Sequence, residues 1–174
     1  EERREHIATN DLVERVTNAM RREIERLELR MEVEVGSGLP GIIGDSVGLE
    51  QVLTNLLDNA MRAAGKRGWV ALRAQTVREG LQIVVEDSGE GIRPELLPRI
   101  FEPFFTTRAA GQGTGLGLSV SLGIVEQHGG RLTAENRPGP EHGARFTVLL
   151  PFGVAATDRR LTPRVPPVPV EDSL

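Results

Sequence analysis

Between Val47 and Glu86 the apolar residues change their period, and that change commits the chain to a helix laid against a sheet. Leu49, Val52, Leu53, Leu56, Leu57 and Ala60 recur at helical intervals, so Val47 to Ala64 is expected to be a helix with one apolar stripe. Asp45 or Ser46 suits its N-cap, and Gly65 and Gly68 end it. Two strands follow, Trp69–Val77 and Leu81–Glu86, joined around Glu79-Gly80 as a hairpin. A helix stripe and a sheet face must each bury against something, and here they supply each other's partner.

The flanking segments extend the same plan. Leu12, Val16, Ala19, Met20, Ile24 and Leu27 predict a helix capped by Asn10 or Asp11, while the charged residues 1–9 read as the end of an incoming helix or a linker. Met31, Val33 and Val35 alternate with glutamates as a half-buried strand, and GSGLPG turns the chain. Pro94 opens a short helix ending near Ile100. A further helix runs from about Leu116 to His128 and stops at Gly129-Gly130, before strands at Arg131–Glu135 and Ala144–Leu150. The result is an α+β two-layer sandwich: a mixed, mostly antiparallel sheet of about five strands packed against about three helices. One domain is expected over residues 10–152, followed by a Pro-rich disordered tail or linker over 153–174.

Composition narrows the function. A net charge of −4 argues against nucleic acid as a partner, and the absence of cysteine removes disulfides and thiolate zinc sites. No apolar run reaches the length of about 18 residues that a membrane helix needs, and the charged start lacks a signal-peptide pattern.

Three stretches carry chemistry. The first is FEPFFTTRAAGQGTGLGLS, residues 101–119, where Gly111, Gly113, Gly115 and Gly117 leave backbone N–H groups bare just before a helix N-terminus. Such a loop suits a phosphate; by itself it also suits an ordinary flexible loop. The second is the face shared by Asn55, Asn59 and Arg62, spaced i, i+4 and i+7 on the predicted helix. The third is Asp87-x-Gly89-x-Gly91 at a strand end. A carboxylate there can accept from a flat buried ligand, or can simply make an Asx turn. Phe101, Phe104 and Phe105 are expected to anchor the glycine-rich segment, to join the core, or both.

Taken together, NLLDNAMRAA (55–64), DSGEG (87–91), FEPFFTTR (101–108) and GTGLGLS (113–119) resemble, in order and spacing, the ATP-binding boxes of sensor histidine kinases. That family belongs to the superfamily shared with DNA gyrase, mismatch-repair ATPases and heat-shock chaperones, whose ATP-binding fold is of the Bergerat type. The short lid is similar to the nitrogen-regulation and hybrid-kinase subgroup. The resemblance implies ATP and Mg²⁺ as cofactors. It implies that Asn59 coordinates Mg²⁺, that Asn55 lines the same cleft and that Arg62 contacts the phosphates. Asp87 would accept from the adenine amino group, with Gly89 and Gly91 letting the base sit close. Gly113, Thr114, Gly115, Leu116 and Gly117 would wrap the phosphates, and Arg108 would close over them. One departure from the family pattern is visible after the last glycine, where Gly143 is followed by Ala144 and Arg145 rather than hydroxyl residues.

The resemblance further implies transfer of the γ-phosphoryl group to a histidine on a dimerisation domain outside residues 1–174, for relay to a response-regulator aspartate. The parent is then expected to be a homodimer, this domain a monomer, and its location cytoplasmic. Hydrolysing relatives carry a general-base glutamate one turn before the magnesium asparagine. Here that position is Asn55, and an amide accepts no proton at neutral pH. His6, His128 and His142 match no acceptor pattern and read as structural or solvated residues. An anti-sigma-type serine kinase and an ATP-sensing module without transfer are the alternative readings.

Overall fold

The computed structural model describes residues 4–107, 113–139 and 142–152. Its elements are β1 (Glu5–Ile7), α1 (Thr9–Arg26), β2 (Arg30–Val35), β3 (Ile42–Gly44), α2 (Ser46–Ala64), β4 (Trp69–Val77) and β5 (Gly80–Asp87). A 3-10 turn at Leu97–Arg99 precedes α3 (Gly117–Gln127), β6 (Arg131–Asn136) and β7 (Ala144–Leu150). Five strands form one sheet in the order β2-β4-β5-β7-β6. β2 runs parallel to β4, and the other neighbours are antiparallel. The expected mixed α+β sandwich is the fold observed.

The core follows from the two periodicities. On α2, Leu49, Val52, Leu53, Leu56, Leu57, Ala60 and Met61 are all buried. They face the alternate residues Val70 and Leu72 of β4, Leu81, Ile83 and Val85 of β5, and Phe146, Val148 and Leu150 of β7, in one cluster. The intervening residues point to the other face, where Ala71, Val84 and Leu149 sit among polar and charged side chains. There the Glu86 carboxylate takes Arg73 at 2.5 Å and Arg145 at 2.7 Å.

Four local expectations differ from the structure. Residues Glu5–Ile7 form not a helix end but a strand, paired antiparallel with Ile42–Gly44 in a second, two-stranded sheet. Three residues are too few to display alternation, and their partner lies far along the sequence. Helix α1 begins at Thr9 with Ala8 at the N-cap and no side-chain cap, so neither Asn10 nor Asp11 caps it. The Thr9 hydroxyl is turned inward and donates to Pro40 O at 3.5 Å, so tertiary contact decides the start. The helix expected from Pro94 is a turn followed by the single 3-10 turn. In an α-helix Pro98 would have no N–H to return to the carbonyl of Pro94, and its ring would crowd that carbonyl. Phe104 is 75% exposed and joins no core, whereas Phe101 and Phe105 pack against it. The tail expectation for 153–174 and the lid residues 108–112, including Arg108, lie outside the described residues.

Leu56→Ala, at a fully buried position, is expected to lower the free energy of unfolding by about 2–5 kcal/mol. Val47→Ala, at a position 74% exposed, should change it by less than about 0.5 kcal/mol. Denaturant titration distinguishes them, and equal losses would contradict the assigned core.

Candidate functional site

Helix α2 presents its polar side to an open cavity of about 1020 Å³. Asn55, Asn59, Arg62, Asp87, Gly91, Thr114, Gly115 and Gly117 all line it. Gly89, Gly113 and Leu116 are not among its lining residues; Gly89 borders a separate shallow depression beside Ala63 and His142. The structure therefore brings together most of the residues singled out in the sequence, from elements far apart in the chain.

Each is held by a specific contact. Asn55 donates from Nδ2 to Gly117 O and to Ser121 Oγ, both at 3.2 Å, fastening α2 to the first turn of α3. Thr114 Oγ1 accepts from Leu116 N at 3.3 Å as the chain enters α3. Gly115 takes φ of +65°, and a Cβ there would lie 2.5 Å from the Phe104 carbonyl carbon. Its lack of a side chain thus serves the packing of the loop on the FEPFF segment. Arg62 is paired through Nε with Asp58 Oδ2 at 2.9 Å, one helical turn away, and both line the cavity.

Asp87 is the most constrained group. It is 2% exposed at the end of β5. Its Oδ1 accepts from Gly89 N at 2.8 Å and from Ala144 N at 3.3 Å. The first bond is the Asx turn weighed as the simple alternative, so the turn and a binding role coexist. A carboxylate offers about four lone-pair sites, so two N–H donors leave capacity for a ligand. Burial pushes the Asp87 carboxyl above its ordinary range, opposed by the N–H groups of Gly89 and Ala144 and by the charge of Arg137. Ala144 shows what the departure after Gly143 does. The backbone N–H at that position, rather than a hydroxyl, supports the site.

Several lining residues were not singled out beforehand. Ile92, Leu96, Ile100, Leu118 and Phe146, together with Phe105 of the expected anchor, give the cavity an apolar wall. The inward alternation of β7 signals Phe146, and Leu118 lies in the first turn of α3; Ile92, Leu96 and Ile100 sit in loops and turns, where no period announces them. His128, read as structural, accepts at Nε2 from Asp45 N at 2.9 Å, with Nδ1 2.7 Å from Ile124 O. It therefore joins the end of α3 to the start of α2.

The donors suit a hard cation held mainly by something else. The Asn59 amide and the Asp58 carboxylate offer oxygen, and no cluster of three or more His, Cys, Asp or Glu among the described residues completes a metal shell. Magnesium commonly takes one or two protein oxygens and completes its shell with phosphates and water, so these residues fit it.

Residues 44–154 match the family described as histidine kinase-, DNA gyrase B-, and HSP90-like ATPase. The chain belongs to that family. Within it, the likeness is to sensor kinases. The alginate biosynthesis sensor protein KinB of Pseudomonas aeruginosa is 40% identical over 148 residues, 83% of this chain and 24% of that protein. The chain thus spans about a quarter of that curated relative. The nucleotide-free catalytic domain of histidine kinase ThkA superposes with a TM-score of 0.77 at 32% identity, covering 86% of this chain and 95% of that one. The same kinase in complex with response regulator protein TrrA gives 0.73 at 30%, covering 85% and 41%. Full-length ShkA in complex with AMPPNP gives 0.77 at 29%, covering 87% and 32%. The chain is a catalytic domain of the histidine kinase type. No helix among the described residues is long and apolar enough to cross a membrane.

The raised Asp87 pKa makes a signed prediction. Its folded value lies above the unfolded value of about 3.8, so the protonated form is favoured on folding. The stability it contributes is complete below the unfolded pKa and is lost as pH rises through the folded pKa. Asp87→Asn keeps an acceptor oxygen and never ionises. Its unfolding free energy, relative to the parent chain, should therefore rise between acid pH and neutrality. A relative fall over that interval would mean that the ionised carboxylate is the stabilised form.

Proposed function

We propose that this domain binds Mg²⁺-ATP in the cavity beside α2. It donates the γ-phosphoryl group to a histidine on a separate dimerisation domain, for relay to an aspartate of a response-regulator receiver domain. The observation that carries the reading is the convergence in one cavity of Asp87, the Asn55–Asn59–Arg62 face and the Gly115–Gly117 entry to α3. Likeness to a kinase solved with AMPPNP and to one solved with a response regulator supports the nucleotide and the partner.

In this reading the adenine amino group donates to Asp87, while the apolar wall of Ile92, Leu96 and Phe146 covers the base. GTP carries a carbonyl where ATP carries that amino group, so it would set acceptor against acceptor. Asn59 holds Mg²⁺, and Asn55 borders the same space. Arg62 turns toward the phosphates while retaining Asp58 as its counter-charge. Gly113, Thr114, Gly115, Leu116 and Gly117 supply the segment around the phosphates, and Arg108 closes it. Held by Asn59, Mg²⁺ would supply positive charge against that of the phosphates.

Asn55 supports transfer over hydrolysis. Its Nδ2 is committed to Gly117 and Ser121, and an amide cannot act as general base. The site is therefore suited to holding ATP for a nucleophile that needs no activation, such as a neutral imidazole. Its nitrogen attacks phosphorus as the bond to the ADP oxygen breaks. Catalysis rests on positioning and charge. The parent is proposed as a homodimer through its dimerisation domain, with this domain monomeric and cytoplasmic, where ATP is available.

Calorimetric titration with ATP and GTP, with and without Mg²⁺, tests the reading. ATP should bind at least about a hundredfold more tightly than GTP, since a site shaped for one hydrogen-bonding edge rejects its mismatch. Equal affinities would overturn the adenine assignment. Asn59→Ala should remove the dependence on Mg²⁺, and unchanged dependence would take Asn59 out of the metal site. Rapid steady-state ATP hydrolysis by this chain alone would favour a hydrolysing ATPase instead.

A further inference from the structure

The loop from Asp87 to Ile92 is tied at both ends to the same hairpin, β6–β7. At its first end, Ala144 donates to Asp87 Oδ1 at 3.3 Å. At its other end the Asn136 side chain meets the Ile92 main chain. Nδ2 donates to Ile92 O at 2.7 Å, and Oδ1 accepts from Ile92 N at 2.7 Å. This pair reproduces the bridge between antiparallel strands, with a side-chain amide replacing a peptide group. Asn136 and Ala144 are themselves register partners across β6 and β7, so the two ties spring from one rung of the sheet.

Two further observations bear on the role. Gly91 has φ of +81°, and a Cβ built on it would lie 2.7 Å from Asn136 Oδ1. The missing side chain at Gly91 therefore makes room for Asn136, which differs from the role expected from sequence, the close approach of a base. Asn136 does not line the cavity, whereas Asp87, Gly91 and Ile92 do. An amide is the short side chain that carries donor and acceptor side by side. A carboxylate lacks the donor, and alanine lacks both.

We infer that Asn136 is a positioning residue for the nucleotide: it clamps Ile92 and Gly91 to the hairpin that also fixes Asp87, and so sets the adenine end of the cavity. It touches neither substrate nor metal. The inference rests on the reading of the cavity as an ATP site.

The test is titration of the 174-residue chain and its variants with ATP, GTP and inorganic tripolyphosphate. Thermal unfolding and amide exchange at Ile92 are followed in parallel. Asn136→Ala should weaken ATP about tenfold, the lower end of what lost outer-partner bonds cost a binding site. It should also narrow the preference for ATP over GTP and speed exchange at Ile92, leaving tripolyphosphate affinity unchanged. Asn136→Asp, which keeps only the acceptor, should shift in the same direction and decides the matter should the alanine variant fail to fold. A folded variant with the parent's ATP affinity and Ile92 exchange would overturn the inference. So would equal losses for ATP and tripolyphosphate, which indicate general loosening. A parent chain that binds no ATP would overturn the functional reading itself, a result distinct from a normal parent beside an unaffected variant.

Discussion

The site depends on a buried carboxylate held by two backbone N–H groups. Asp87 ends the strand whose inward residues, Leu81, Ile83 and Val85, form the middle of the core. Desolvation works against its charge, while Gly89 N and Ala144 N work for it. A group balanced in this way keeps a fixed orientation and remains able to accept another hydrogen bond. One donor lies in the loop after β5 and the other is the first residue of β7, so the geometry of Asp87 depends on the sheet as well as on its own loop.

Helix α2 links the two halves of the cavity. Its buried stripe is pressed on the sheet that carries Asp87, and its polar side is bonded through Asn55 to the start of α3. His128 fastens the far end of α3 to the N-cap of α2. The proposed phosphate segment is therefore set against the proposed adenine segment by hydrogen bonds to one helix.

The long elements were legible because their periods repeat. The nineteen-residue α2 and the β4–β5 hairpin were set within a residue or two by apolar spacing and by the glycines that bound them. The Asn55–Asn59–Arg62 face followed from helical angle alone. What escaped was set by distant partners. Glu5–Ile7 is a strand because Ile42–Gly44 lies beside it. Pro98, four residues after Pro94, turned an expected helix into a 3-10 turn. The glycines were found by sequence, but the reason assigned to Gly91 was incomplete, since only the folded chain brings Asn136 against it. The supporting role of Ala144 was hidden for a similar reason. It acts through its backbone, which no residue type reveals.

The central claim is that Asp87 reads the base while Asn59 serves the metal in one cavity. The most direct measurement is a crystal structure of this chain with Mg²⁺ and a non-hydrolysable ATP analogue. The account predicts the adenine amino group within hydrogen-bonding distance of Asp87 and the ion bound to the Asn59 amide oxygen. An analogue whose base lies away from Asp87, or whose ion is held without Asn59, would contradict it.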